Sequence, residues 1–141
     1  MHRLVLLAFA LLAACSRADG DEPTEDAVAA EPATASLFAS EIAPLLAANC
    51  ATCHLTGTEA GSVALIPARA VEQTVNVPSV EAPTLMRVKP GDPDASYLVM
   101  KLEGTHVEQG GTGARMPFGA PPLSPEKTAL VRRWIAEGAD R

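Results

Sequence analysis

Apolar positions along this chain follow three regimes. From Leu4 to Leu12 they are contiguous, after a short basic start at His2 and Arg3. From Ser16 to Ala35 large apolar side chains are almost absent. From Ser36 onward they recur at helical spacing. Leu37, Phe38, Ile42, Leu45 and Leu46 share one face and predict a helix over Ser36 to Asn49. Pro44 falls inside it. Proline lacks an N–H but suits a first helical turn, so the pattern predicts either a kink or a second helix starting there. Ala60 to Val88 is loop-rich, with Pro67, Pro78 and Pro83, and leaves room for a short helix at Pro67 to Val75. Pro90-Gly91-Asp92-Pro93 is a turn signal, after which Asp94 is expected to cap a helix through Leu102, ended by Gly104. Tyr97, Leu98, Lys101 and Leu102 fit one face of that helix. Glu103 to Ala114 is glycine-rich and reads as an exposed loop. Ser124-Pro125-Glu126 supplies a cap, a proline at the first position and an acid in the first turn. Leu130, Val131, Trp134 and Ile135 form that last helix's stripe, Gly138 ends it, and Trp134 is expected to pack it on the first helix. Neither a repeat nor a strand pattern emerges. The expected fold class is all-α, one small domain of about three to five helices over residues 36–141.

The first two regimes predict export. The run from Leu4 to Leu12 is too short to span a bilayer, which takes about 20 residues. Residues 1–14 therefore read as a signal peptide. Leu12-Ala13-Ala14-Cys15 resembles the bacterial lipobox, in which the cysteine is acylated and becomes the new N-terminus; that resemblance makes Cys15 the lipidation site. Ser16, a non-acidic residue after it, implies sorting to the outer membrane. Residues 15–35 are then the lipidated cysteine and a disordered acidic tether, rich in Ala, Pro, Asp and Glu, with too little apolar surface to offset ordering entropy. The expected location is the cell envelope, facing the periplasm, held to the membrane by lipid.

Charge narrows the partners. The chain carries 11 basic and 17 acidic side chains, and one of the basic ones, Arg3, leaves with the leader. Nucleic acid, whose phosphates need a basic face, is excluded as a partner on this balance.

With Cys15 acylated, Cys50 and Cys53 remain, and they stand in Cys50-Ala51-Thr52-Cys53-His54. C-x-x-C-H reads as a c-type haem attachment site. On a helical turn, positions i and i+3 share a face and i+4 lies close by. Both cysteines can thus reach the two vinyl groups on one haem edge and form thioethers. His54 can turn its imidazole onto the iron, with the other ring nitrogen expected to donate an orienting hydrogen bond. A thiol–disulfide pair would normally follow a strand in a βαβ pattern, which is not present. A zinc site would need more ligands than His106 can add. With only 4% aromatic residues the domain has little to build a core from, and a covalently held haem would supply a large apolar body.

The second axial ligand is open among several residues. Met116 precedes Pro117, which disfavours helical geometry and pushes Met116 extended, a conformation that can aim a thioether at a metal. Met86 and Met100 are alternatives, Met100 lying mid-helix. His106 would make a bis-histidine site from the glycine-rich stretch.

Taken together these residues resemble a class I cytochrome c, and more closely the planctomycete-type cytochrome c domain. The resemblance runs from about Ser36 to the C-terminus. It is carried by Pro44-Leu45-Leu46 before the haem motif, Val88-Lys89-Pro90-Gly91-Asp92-Pro93, Ser96-Tyr97-Leu98 with Lys101-Leu102, Arg115-Met116-Pro117, Leu123-Ser124, and Trp134-Ile135 with Gly138-Ala139. It implies helices around one covalently bound haem c, His54 and Met116 as axial ligands, and one-electron transfer with redox donor and acceptor proteins of the envelope. With both axial positions filled the protein is expected not to be an enzyme. The alternative is a haem enzyme or gas sensor with an open sixth site. The long stretch between His54 and Pro90 departs from the family pattern.

Overall fold

A computed structural model describes residues 35–141. The signal peptide, Cys15 and nearly all of the proposed tether lie outside the described residues. The described part is mostly helical. Its strand content is three isolated bridges, Val75–Val88, Pro78–Met86 and Met86–Ser96. The all-α class is therefore observed.

The chain enters through a π-helical turn, Phe38–Ile42, that runs directly into α1, Ala43–Asn49. Pro44 sits in the first turn of α1, and the Ala43 N–H reaches back to the Phe38 carbonyl. Of the two sequence alternatives, the helix start is close to what is seen: α1 begins at Ala43, one residue before Pro44, and the wider turn ahead of it absorbs the missing proline donor. The short α2 covers Ala70–Thr74, inside the predicted stretch.

Between α2 and the next helix the backbone is pinned to itself. The Val88 N–H donates to Thr74 O (3.0 Å), Arg87 N–H to Val77 O (2.7 Å) and Ser79 N–H to Leu85 O (2.9 Å). Two more bonds, Tyr97 N–H to Met86 O and Leu98 N–H to Arg87 O, attach this loop to the start of α3, Tyr97–Glu103. Asp94 does not cap α3. Asp92 accepts from Ala95 N–H and caps a 3₁₀ turn, Pro93–Ala95, while Ser96 stands at the N-cap position of α3. Asp94 points outward to Arg132. Gly104 ends α3 in the left-handed conformation at φ +87°, as the pattern predicts.

The Glu103–Ala114 stretch departs from expectation. It holds a 3₁₀ turn, His106–Gln109, and buries both His106 and Gly111. Absence of apolar periodicity concealed this, because the burial rests on an imidazole and a glycine rather than on an apolar stripe. Helix α4 spans Pro125–Ala136, and Ser124 accepts from the Lys127 N–H at its start.

The main core forms where the first helical segment, α3 and α4 meet. Phe38, Ile42, Leu45 and Leu46 pack with Val99, Leu102, Val131, Trp134 and Ile135. The Trp134 and Phe38 rings lie 5.7 Å apart, so Trp134 docks α4 on the first helix as expected. Its indole N–H donates to Asp140 O (2.8 Å). This frame fixes the C-terminal end of α1 relative to α3, and the candidate site lies between them.

Candidate functional site

Helix α1 stops at Asn49, but its hydrogen bonding carries on for one more turn. The Cys50 N–H donates to Leu46 O (2.9 Å), and the N–H groups of Cys53 and His54 both donate to Cys50 O, at 3.1 and 3.0 Å. Cys50 to His54 is therefore one compact turn of backbone. The thiols are not joined in a disulfide. Cys50 is half-buried against the main core and Cys53 is exposed. Burial, and secondarily the neighbouring Cys53, push the Cys50 thiol up to about 11. Redox-active C-x-x-C pairs need the opposite shift, toward thiolate. Among the described residues no three His, Cys, Asp or Glu side chains gather as a metal-ligand set, which leaves the zinc reading without support.

The His54 carbonyl accepts from Leu65 N–H at 2.7 Å, which holds the turn against the following segment. His54 lines a cleft with an accessible interior of about 90 Å³, smaller than the range of about 300–1,000 Å³ usual for small-molecule sites. Val63, Leu65 and Leu98 give it apolar walls. Arg87, Tyr97, Lys101 and Glu81 bring polar atoms to it. Met116 lies on the same lining as His54. The Met116 N–H donates to the Lys101 carbonyl at 2.9 Å, so α3 sets its position. The Met116–Pro117 peptide is cis.

The rival ligands are elsewhere. Met100 is buried beside Ala82 and Tyr97, and Met86 takes part in two backbone bridges; neither lines the cleft. His106 is buried, with Nε2 3.0 Å from Gly113 O, and does not line it either. One sequence expectation fails here. His54 Nδ1 is buried and has no hydrogen-bond partner, so no orienting bond to that nitrogen is present. The Leu65 tie fixes the backbone instead.

The donor chemistry is that of a haem c site: His54 and Met116 line one cleft with apolar walls, and His54 Nδ1 is buried without a partner. Cys50 and Cys53, on the turn that leads into His54, are not on that lining. An orphaned buried polar atom carries a desolvation penalty that calls for an explanation.

Sequence reasoning missed the polar side of the cleft. Arg87 donates to Gln73 O (2.8 Å), Gly61 O (3.1 Å) and Ser62 O (2.9 Å), tying its own loop to α2 and to the turn at 61–62. The Tyr97 hydroxyl donates to Glu81 (2.8 Å), and Lys101 Nζ lies 3.2 Å from the same carboxylate oxygen. A lysine on the apolar face of α3 was a visible signal. Nothing marked Glu81 or Arg87, which lie in a loop without periodicity.

Compared with protein-family models, curated proteins and solved structures, the chain finds no match in any of the three.

Proposed function

We propose that this chain is a c-type cytochrome, a one-electron carrier rather than an enzyme, exported to the cell envelope and lipid-anchored through Cys15. The observation that carries the reading is that His54, directly after the C-x-x-C turn, and Met116, more than 60 residues further on, border the same cleft. Cys50 and Cys53 would hold the haem c through thioethers, and His54 and Met116 would ligate its iron. When bound, the group supplies a reversible one-electron change at iron.

The chain's own residues do the rest. The Leu65 N–H fixes the His54 backbone, and the Lys101 carbonyl fixes Met116. Val63, Leu65 and Leu98 exclude water from the cleft. With His54 and Met116 both holding the iron, the group would supply electron exchange and leave no open site for small oxidants or gases. Arg87 places a cationic group on the lining, while the Lys101 charge is offset there by Glu81. Partners are donor and acceptor proteins of the envelope.

The test uses protein matured in a host with haem-attachment machinery. The ferric form is expected to show a methionine-to-iron charge-transfer band. Met116→Ala is expected to abolish the band and lower the potential, because methionine raises it relative to weaker ligands. A band untouched by Met116→Ala overturns the ligand assignment. A parent protein with haem but no band instead favours an open sixth site, and with it an enzyme or gas sensor.

A further inference from the structure

The stretch before Met116 is rich in glycine, yet its centre is tied down by two buried side chains. His106 is 2% exposed. Its Nε2 stands 3.0 Å from the Gly113 carbonyl oxygen, which can only accept, so Nε2 carries the proton. The Nδ1 atom is then a bare acceptor, buried and unpartnered. The preceding carbonyl, Thr112 O, accepts from Lys101 Nζ at 2.9 Å. The Lys101 ammonium is also held by Glu81 and lies 5.9 Å from the centre of the Tyr97 ring. Tyr97 in turn meets the His106 ring edge-on at 6.3 Å. Gly111 sits so close that a Cβ there would lie 2.4 Å from the Tyr97 hydroxyl oxygen and 2.8 Å from the His106 carbonyl oxygen.

Two consecutive carbonyls, Thr112 and Gly113, are thus captured by side chains from α3 and from the 3₁₀ turn. Three residues later the Lys101 carbonyl captures the Met116 N–H. Lysine 101 therefore grips this segment with both its side chain and its backbone. A buried ammonium and a buried imidazole are costly choices for a surface loop, and an aliphatic packing would be at least as stable. Their polar reach does what aliphatic groups cannot, which is to fix the path of a glycine-rich backbone.

We infer that Lys101 and His106 are positioning residues that hold Met116 at the cleft. This rests on the reading of Met116 as an iron ligand. Neither residue acts on iron itself; each acts through the loop.

The experiment uses the full haem-loaded chain. It follows the methionine-to-iron band and Met116 amide exchange in Lys101→Met, His106→Leu and His106→Gln, with far-UV circular dichroism reporting the fold. In Lys101→Met and His106→Leu the band is expected to vanish at a denaturant concentration where the helical signal still matches the parent's. The Met116 amide is expected to exchange roughly tenfold faster. His106→Gln keeps a donor for Gly113 O and is expected to retain the band. If His106→Leu does not fold, Lys101→Met is read in the same way. Bands in both variants that persist until the helices melt, as in the parent, overturn the inference alone. A parent protein without the band overturns the ligand reading and this inference with it.

Discussion

Tyr97 shows how one side chain ties stability to pH. Burial, and then its hydrogen bond to the Glu81 carboxylate, push its phenol from the ordinary 10 up to about 12. A raised acid holds its proton longer in the folded chain than in the unfolded one. Its contribution is full below about pH 10 and is lost as pH rises to about 12. Tyr97→Phe is expected to remove that part of the alkaline fall, read as the urea midpoint across this window. An alkaline fall identical to the parent's would refute it. Glu59 has the opposite sign. Its own backbone N–H, with those of Thr56 and Gly57, lowers its carboxyl from 4.5 to about 2. That contribution exists above 4.5 and disappears as pH falls to about 2. A side-chain NMR titration should place its midpoint near 2, and a midpoint at the ordinary value would contradict the hydrogen bonds seen at 2.9–3.1 Å. At this scale the sequence was informative where a residue type is rare in its pattern. Cys50, Cys53 and His54 stand out by spacing, and Met116 by the proline after it. Glu81 and Arg87 were hidden, because their roles depend on loops whose paths no local pattern encodes.

Among the elements, the α4 contact with the first helical segment brings Trp134 and Ile135 into the same core as Phe38 and Ile42. Trp134 is 2% exposed and Ile135 is fully buried. Trp134→Ala is expected to cost about 3–5 kcal/mol by chemical denaturation, and a loss under about 1 kcal/mol would show that the contact is not central. Gly111→Ala is a sharper probe of the loop. Its Cβ has no room between Tyr97 and the His106 carbonyl, so a cost of about 1–3 kcal/mol is expected; a neutral effect would mean the loop lies elsewhere. The ends of α3 and α4 were legible because chemistry marks them: Gly104, Gly138 and Ser124-Pro125. The start of α1 was legible only as two options, since Pro44 permits both a kink and a fresh start, and the structure has α1 starting at Ala43 behind a π-helical turn. Asp94 misled because two acids flank Pro93, and the backbone geometry assigned the capping role to Asp92. The burial of His106 was not legible at all. Its partner is a glycine carbonyl, and carbonyls carry no sequence signal.

For the whole molecule, α1, α3 and α4 build the main core, and the cleft lies between α3, which contributes Tyr97, Leu98 and Lys101, and the surrounding loops. The domain has few aromatic residues for a core, and the proposed haem would fill the space those loops enclose. The chain's formal net charge is −6, so electron exchange with a basic partner is expected to slow on the order of tenfold from low to physiological salt. Stopped-flow rates against one basic and one acidic redox protein would show it, and equal salt dependence for the two would contradict it. The most direct measurement is the intact mass of the mature chain, exported by a host that attaches haem. The expected mass exceeds that of the acylated polypeptide by one haem, and changing Cys50 and Cys53 together to alanine removes the increment. A parent chain without the increment, its two thiols free or bonded to each other, would contradict the assignment.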